Sequence, residues 1–109
     1  MINIIVITHG EFGAYLIEAA EGIVGAQSAG LKNVSISPRM TLERVKEAVS
    51  AAIEEMRSDD GLVFLIDMPG GTPMNVVLPL AKDIEKSAVI CGVNINMMTS
   101  AFAYRGSLD

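Results

Sequence analysis

Two rhythms of apolar residues alternate along this chain, one with the pitch of a buried strand and one with that of an amphipathic helix. Ile2 to Ile7 is rich in β-branched residues and ends at Thr8-His9-Gly10, which predicts a buried strand opening into a loop. Phe12, Tyr15, Leu16, Ala19, Ala20, Ile23 and Val24 then recur on one helical stripe. Glu11 is expected in the first turn, where the helix dipole favours an acid, and Gly25 is placed to end the helix. Asn33 to Ser37 alternates and stops at Pro38, the pattern of a short strand with one wet side, near a sheet edge. Thr41 is a good N-cap for a helix whose stripe is Leu42, Val45, Val49, Ala52, Ile53 and Met56.

The second half repeats the alternation. Leu62 to Ile66 is too apolar for a half-exposed strand and ends abruptly at Asp67. Met68 to Pro73 is a Gly-rich turn into a helix, with Thr72 as candidate N-cap and Pro73 at the first helical position. Pro79 should kink or split that helix, because it has no N–H to give. Ala88 to Val93 predicts a fourth strand, Asn94 to Asn96 a loop, and Met97 to Tyr104 an apolar helix. The order βαβαβαβα predicts an α/β fold: an open, doubly wound parallel sheet with helices on both faces and strand order 2-1-3-4. Ligands of such sheets bind outside the carboxyl ends of strands 1 and 3, where the chain reverses direction, and those strands end at His9 and Asp67.

Composition narrows the function. At 109 residues there is room for one domain, spanning 1–109. Eight basic residues against thirteen acidic ones give a net charge of −5, which argues against nucleic acid and against anionic membrane surfaces. Cys91 is the only cysteine and lies in an apolar run, so neither a disulfide framework nor a thiolate metal site can be written. A cytoplasmic location is therefore expected. No apolar stretch approaches the ~20 residues a bilayer requires, so no membrane insertion is expected.

His9 is the only histidine, and the topology alone brings it beside Asp67. A carboxylate accepting the proton of one ring nitrogen fixes the tautomer and leaves the other nitrogen a free lone pair, which makes a better nucleophile. The helix entered at Thr72 aims orphan backbone N–H groups and its positive dipole end at the same crevice. Gly70 and Gly71 let the backbone approach a ligand, and the hydroxyls of Thr8 and Thr72 add donors. Nucleophilic imidazole, orienting carboxylate and anion cradle together describe phosphoryl acceptance on histidine. One His and one Asp are too few for a metal, and no cofactor is expected. A receiver domain would need an acidic pair where Thr8-His9 stands, and a nucleotide site lacks both its Gly-rich fingerprint and its Walker lysine. Phe12 and Met68, with Met74, are candidates for a partner-facing patch, since Met adapts to more than one surface.

Thr8-His9-Gly10, Leu65-Ile66-Asp67, Gly70-Gly71-Thr72-Pro73-Met74-Asn75 and Gly92-Val93-Asn94 with Met97 resemble the IIA component of the mannose-type sugar phosphotransferase system. The resemblance implies that His9 is phosphorylated on Nε2 by the histidine phosphocarrier protein and passes the group to a histidine of a IIB domain. It further implies that Asp67 orients the histidine, that Gly71, Thr72 and Asn75 hold the phosphoryl group, and that Phe12 stands at the rim. It implies a homodimer. Members of that family usually continue into a further C-terminal helix and, in some, an edge strand exchanged between subunits, whereas this sequence stops at Asp109. Either that segment is missing or the dimer differs. The same residues also fit a regulatory module whose His9 phosphorylation state controls partner binding without sugar transport.

Overall fold

A computed structural model of the chain describes residues 1–67 and 71–105. Eight elements alternate: β1 (Asn3–His9), α1 (Phe12–Val24), β2 (Leu31–Ile36), α2 (Leu42–Met56), β3 (Leu62–Ile66), α3 (Gly71–Ala81), β4 (Ser87–Cys91) and α4 (Ile95–Tyr104). All pairings are parallel, in the order β2-β1-β3-β4. The predicted doubly wound sheet with order 2-1-3-4 is therefore the one observed.

Strand alternation sorts the core into two layers. Ile5 and Ile7 of β1 and Phe64 and Ile66 of β3 join Val45, Val49 and Ile53 of α2 and Val76 and Val77 of α3 in one cluster. Ile4, Val6 and Leu65 point the other way, to Ala20 of α1 and Met98 and Phe102 of α4. Thr41 caps α2 as predicted, its side chain accepting the Arg44 amide at 3.1 Å.

Element boundaries differ from expectation where tertiary pairing intervenes. β1 runs two residues past Ile7, because Thr8 and His9 continue the ladder opposite Ser35 and Ile36 of β2. β2 begins at Leu31 rather than Asn33, since Leu31 pairs with Ile4 and joins the second apolar layer. β4 stops at Cys91, because Gly92 turns the backbone into the left-handed region at φ +76°, although the Val93 amide still donates to the Ile66 carbonyl. Asn94 is a helix cap, not mid-loop: its side chain accepts the Met97 amide at 2.9 Å, so α4 starts at Ile95. Pro79 does not split α3: the helix runs through it, with the proline exposed. Tyr15 and Ile23, expected in the core stripe of α1, are exposed, because only the narrow face around Gly13 and Ala20 is buried.

Candidate functional site

β1 and β3 deliver their last side chains to the same end of the sheet. His9 closes β1, and Asp67 follows β3 immediately, tied back by its amide to the Ile7 carbonyl at 3.3 Å. The Asp67 carboxylate takes two donors from one residue. Its Oδ2 accepts the His9 backbone amide at 3.0 Å, and Oδ1 and Oδ2 lie 3.2 and 3.0 Å from His9 Nδ1. An ionised carboxylate can only accept, so it holds a proton on Nδ1, and in the neutral ring this leaves the lone pair on Nε2, across the ring. The carboxylate side chain is 12% exposed and the imidazole 47%. Orientation is thus set by the protected partner, while the imidazole itself is half exposed.

The turn that follows is pinned as well. The Gly10 amide donates to the Ile36 carbonyl at 2.8 Å, with Gly10 at φ +62°. On the opposite face of the sheet, Thr8 Oγ1 accepts the Gly13 amide at 2.7 Å. Thr8 is completely buried, so the expectation that its hydroxyl lines the anion cradle is corrected: it serves α1. Glu11 likewise stands at the N-cap position of α1 rather than in its first turn, and makes no side-chain cap bond there.

α3 begins at Gly71, four positions after Asp67, which brings a helix N-terminus to this end of the sheet. Gly71 lies at φ +73°, a conformation that strains any residue with a Cβ even though space for one exists. Thr72 sits one residue inside the helix instead of capping it, and Pro73 occupies the first turn, where no N–H is needed. Thr72 and Asn75 are exposed and share a groove of about 710 Å³ between α2 and α3 with Leu42, Lys46 and Pro79. Met74 is core, packed against the α2/α3 side of the sheet. Phe12, at the start of α1, is 48% exposed. Met68 and Gly70 lie outside the described residues.

His9 and Asp67 are therefore in contact, and Gly71, Thr72 and Asn75 are gathered on the first turns of the neighbouring helix. Pattern reading missed Thr8 as the clamp of α1; the signal was present, since Thr8 falls on the Ile4-Val6 face that α1 covers. Among the described residues no group of acidic, His or Cys side chains could hold a metal ion, and no helix is long and apolar enough to cross a membrane.

A family model described as PTS system fructose IIA component matches residues 3–109. The chain belongs to that family of sugar phosphotransferase IIA components. It is 31% identical over 104 residues to the PTS system mannose-specific EIIAB component of Escherichia coli K12, covering 95% of this chain and 32% of that protein. The chain thus spans about a third of the length of that relative. It is 24% identical over 108 residues to the PTS system fructose-specific EIIA component of Bacillus subtilis 168, covering 99% of this chain and 73% of that one. The crystal structure of the phosphotransferase system component EIIA from Streptococcus agalactiae superposes with TM-score 0.82 at 28% identity, covering 97% and 80% of the two chains. A PTS IIA protein associated with the fucose utilization operon of Streptococcus pneumoniae shares the fold at TM-score 0.87 and 22% identity, over 94% and 76%. The mannose-type resemblance carried by the sequence motifs is the family the chain matches.

Proposed function

We propose that this IIA component is a protein-histidine phosphotransferase, with His9 as the residue phosphorylated. The observation that carries the reading is the pairing of His9 Nδ1 with the Asp67 carboxylate, which commits the proton to Nδ1 and the lone pair to Nε2. Nε2 attacks the phosphorus of the phosphohistidine on the histidine phosphocarrier protein. The new N–P bond forms as the donor's N–P bond breaks, and its electron pair stays on the donor imidazole. Positive charge spreads over the His9 ring as the bond forms, and the carboxylate on Nδ1–H stabilises it. The phosphoryl oxygens are met by backbone amides at the α3 N-terminus and by the side chains of Thr72 and Asn75. The reverse attack, by a histidine of a IIB domain, discharges the site.

Phe12, exposed at the start of α1 three positions after His9, and Met68 are the candidates for contact with these two partners. The location is cytoplasmic and the working unit a homodimer. An apolar groove against α4, which takes in Ile90 and Tyr104, supports a second copy. Incubation with the phosphorylated carrier protein should label the wild-type chain with an acid-labile, alkali-stable phosphate and leave His9→Gln unlabelled. An acid-stable label, or a labelled variant, would overturn the assignment.

A further inference from the structure

We propose that Thr8 is a positioning residue for His9, acting through the first turn of α1, and this proposal rests on the phosphocarrier reading only for its kinetic test. Thr8 and His9 are adjacent in β1 and therefore face opposite sides of the sheet. His9 turns toward Asp67, while Thr8 is fully buried under α1 with Oγ1 accepting the Gly13 amide at 2.7 Å. That amide is one of the four helix-terminal N–H groups without an intrahelical partner, and Glu11 at the cap position offers it no side chain. A strand residue thus does the capping, and the bond closes a ring around His9-Gly10-Glu11.

A second observation marks this junction as built for close approach. A Cβ on Gly13 would lie 2.7 Å from Thr8 Oγ1 and 2.4 Å from Asn33 Oδ1, so α1 rests directly on polar atoms of two strands. Asn33 Oδ1 is buried without a hydrogen-bond partner among the described residues, while its Nδ2 donates to Ser35 Oγ at 3.2 Å. Polar atoms are costly at a helix–sheet contact, and Val at position 8 would pack there without them. The hydroxyl therefore fixes geometry: with the His9 amide on Asp67, the Gly10 amide on Ile36 and the Gly13 amide on Thr8, the backbone on both sides of the imidazole is held. Loss of the third tie lets the turn relax and the ring leave the carboxylate.

The test compares Thr8→Val, Thr8→Ser and Gly13→Ala with wild type. Ring-nitrogen chemical shifts of His9 are read in the unphosphorylated protein, and transfer kinetics with the phosphorylated carrier protein are read separately. Thr8→Val should move the neutral ring from one tautomer to a mixture and lower turnover about 10- to 100-fold with KM for the carrier unchanged, as expected of a small misplacement at a reacting atom. Thr8→Ser should restore both. Gly13→Ala, which wedges the same junction, should reproduce the shift and decides the matter if Thr8→Val does not fold. Wild-type ring shifts in a folded Thr8→Val protein, or in Gly13→Ala if that is the variant that folds, would overturn the proposal. A wild-type protein that takes no phosphate would overturn the phosphocarrier reading instead, leaving the ring shifts to decide on Thr8.

Discussion

The two faces of the sheet are made by the same four strands yet are finished differently. Against α2 and α3, the apolar layer is closed: Phe64 and Ile66 are fully buried, and Val89 and Cys91 of β4 pack against it. Against α1 and α4, the layer stops short of β4. There Ile90 is 41% exposed and Tyr104 62%, and with Ile2, Val63, Leu65 and Met97 they border an apolar groove of about 460 Å³. His9 and Asp67 meet at the carboxyl end of β1 and β3, and Thr8 reaches α1 from the opposite face of β1 to His9. A mostly buried Asp67 and a tied-down α1 together hold an imidazole that is itself half exposed, which is how a side chain can be both well ordered and accessible to another protein.

The largest effect that could break this contrast is chemical. Asp67→Asn should fold but lower phosphoryl transfer on the order of 10³–10⁴-fold, because an amide no longer dictates the ring tautomer; steady-state transfer rates would show it, and near-normal rates would mean that the carboxylate is not the orienting group. Next come the cores. Phe64→Ala on the closed face should cost about 3–5 kcal/mol in denaturant unfolding, whereas Ile90→Ala on the open face should cost less than about 1 kcal/mol, since much of that side chain is already in water. An Ile90 loss equal to that of Phe64 would show that the groove is covered in solution.

Arg105 tests how the open face is edged. Its guanidinium is buried and donates to the carbonyls of Ala29 and Gly30 at 2.6 and 2.8 Å, tying α4 to the start of β2. Burial lowers its pKa from the ordinary arginine value. Arg105→Met should cost about 2–3 kcal/mol, since two carbonyls lose charged donors, and urea midpoints would report it. The smallest effect lies at the opposite end of the sheet from His9. The Met1 ammonium beside Asp60 lowers that carboxyl below its usual range. A depressed carboxyl stabilises the fold above its unfolded pKa and loses that contribution as pH falls through the folded value. Asp60→Asn should therefore lower stability slightly at neutral pH, converge with wild type in acid, and so flatten the acid limb of a stability–pH curve.

Sequence pattern reached far here because the core is built from unbroken apolar strands. Runs such as Leu62 to Ile66 admit one reading once helices alternate with them, and parallel crossovers then leave few topologies. His9 and Asp67 were legible for the same reason, as the polar ends of the two strands flanking the switch point. What stayed illegible depended on neighbours in space. The stripe of α1 looked wide because Tyr15 and Ile23 are apolar enough to count, and only packing shows that Gly13 and Ala20 face the sheet. Alternation puts Thr8 on the Ile4-Val6 face, but only packing shows that α1 covers that face and brings the Gly13 amide to its hydroxyl.

The order of hydrophobic and polar residues by itself determined the elements, their parallel pairing and the end of the sheet where chemistry gathers, since each follows from local period and chain handedness. The tertiary structure alone decided that Nδ1 meets the Asp67 carboxylate, that Thr8 is spent on Gly13, and that one face of β4 is left open. Those outcomes turn on distances of an ångström or so between segments far apart in the chain, and a one-dimensional pattern does not encode them.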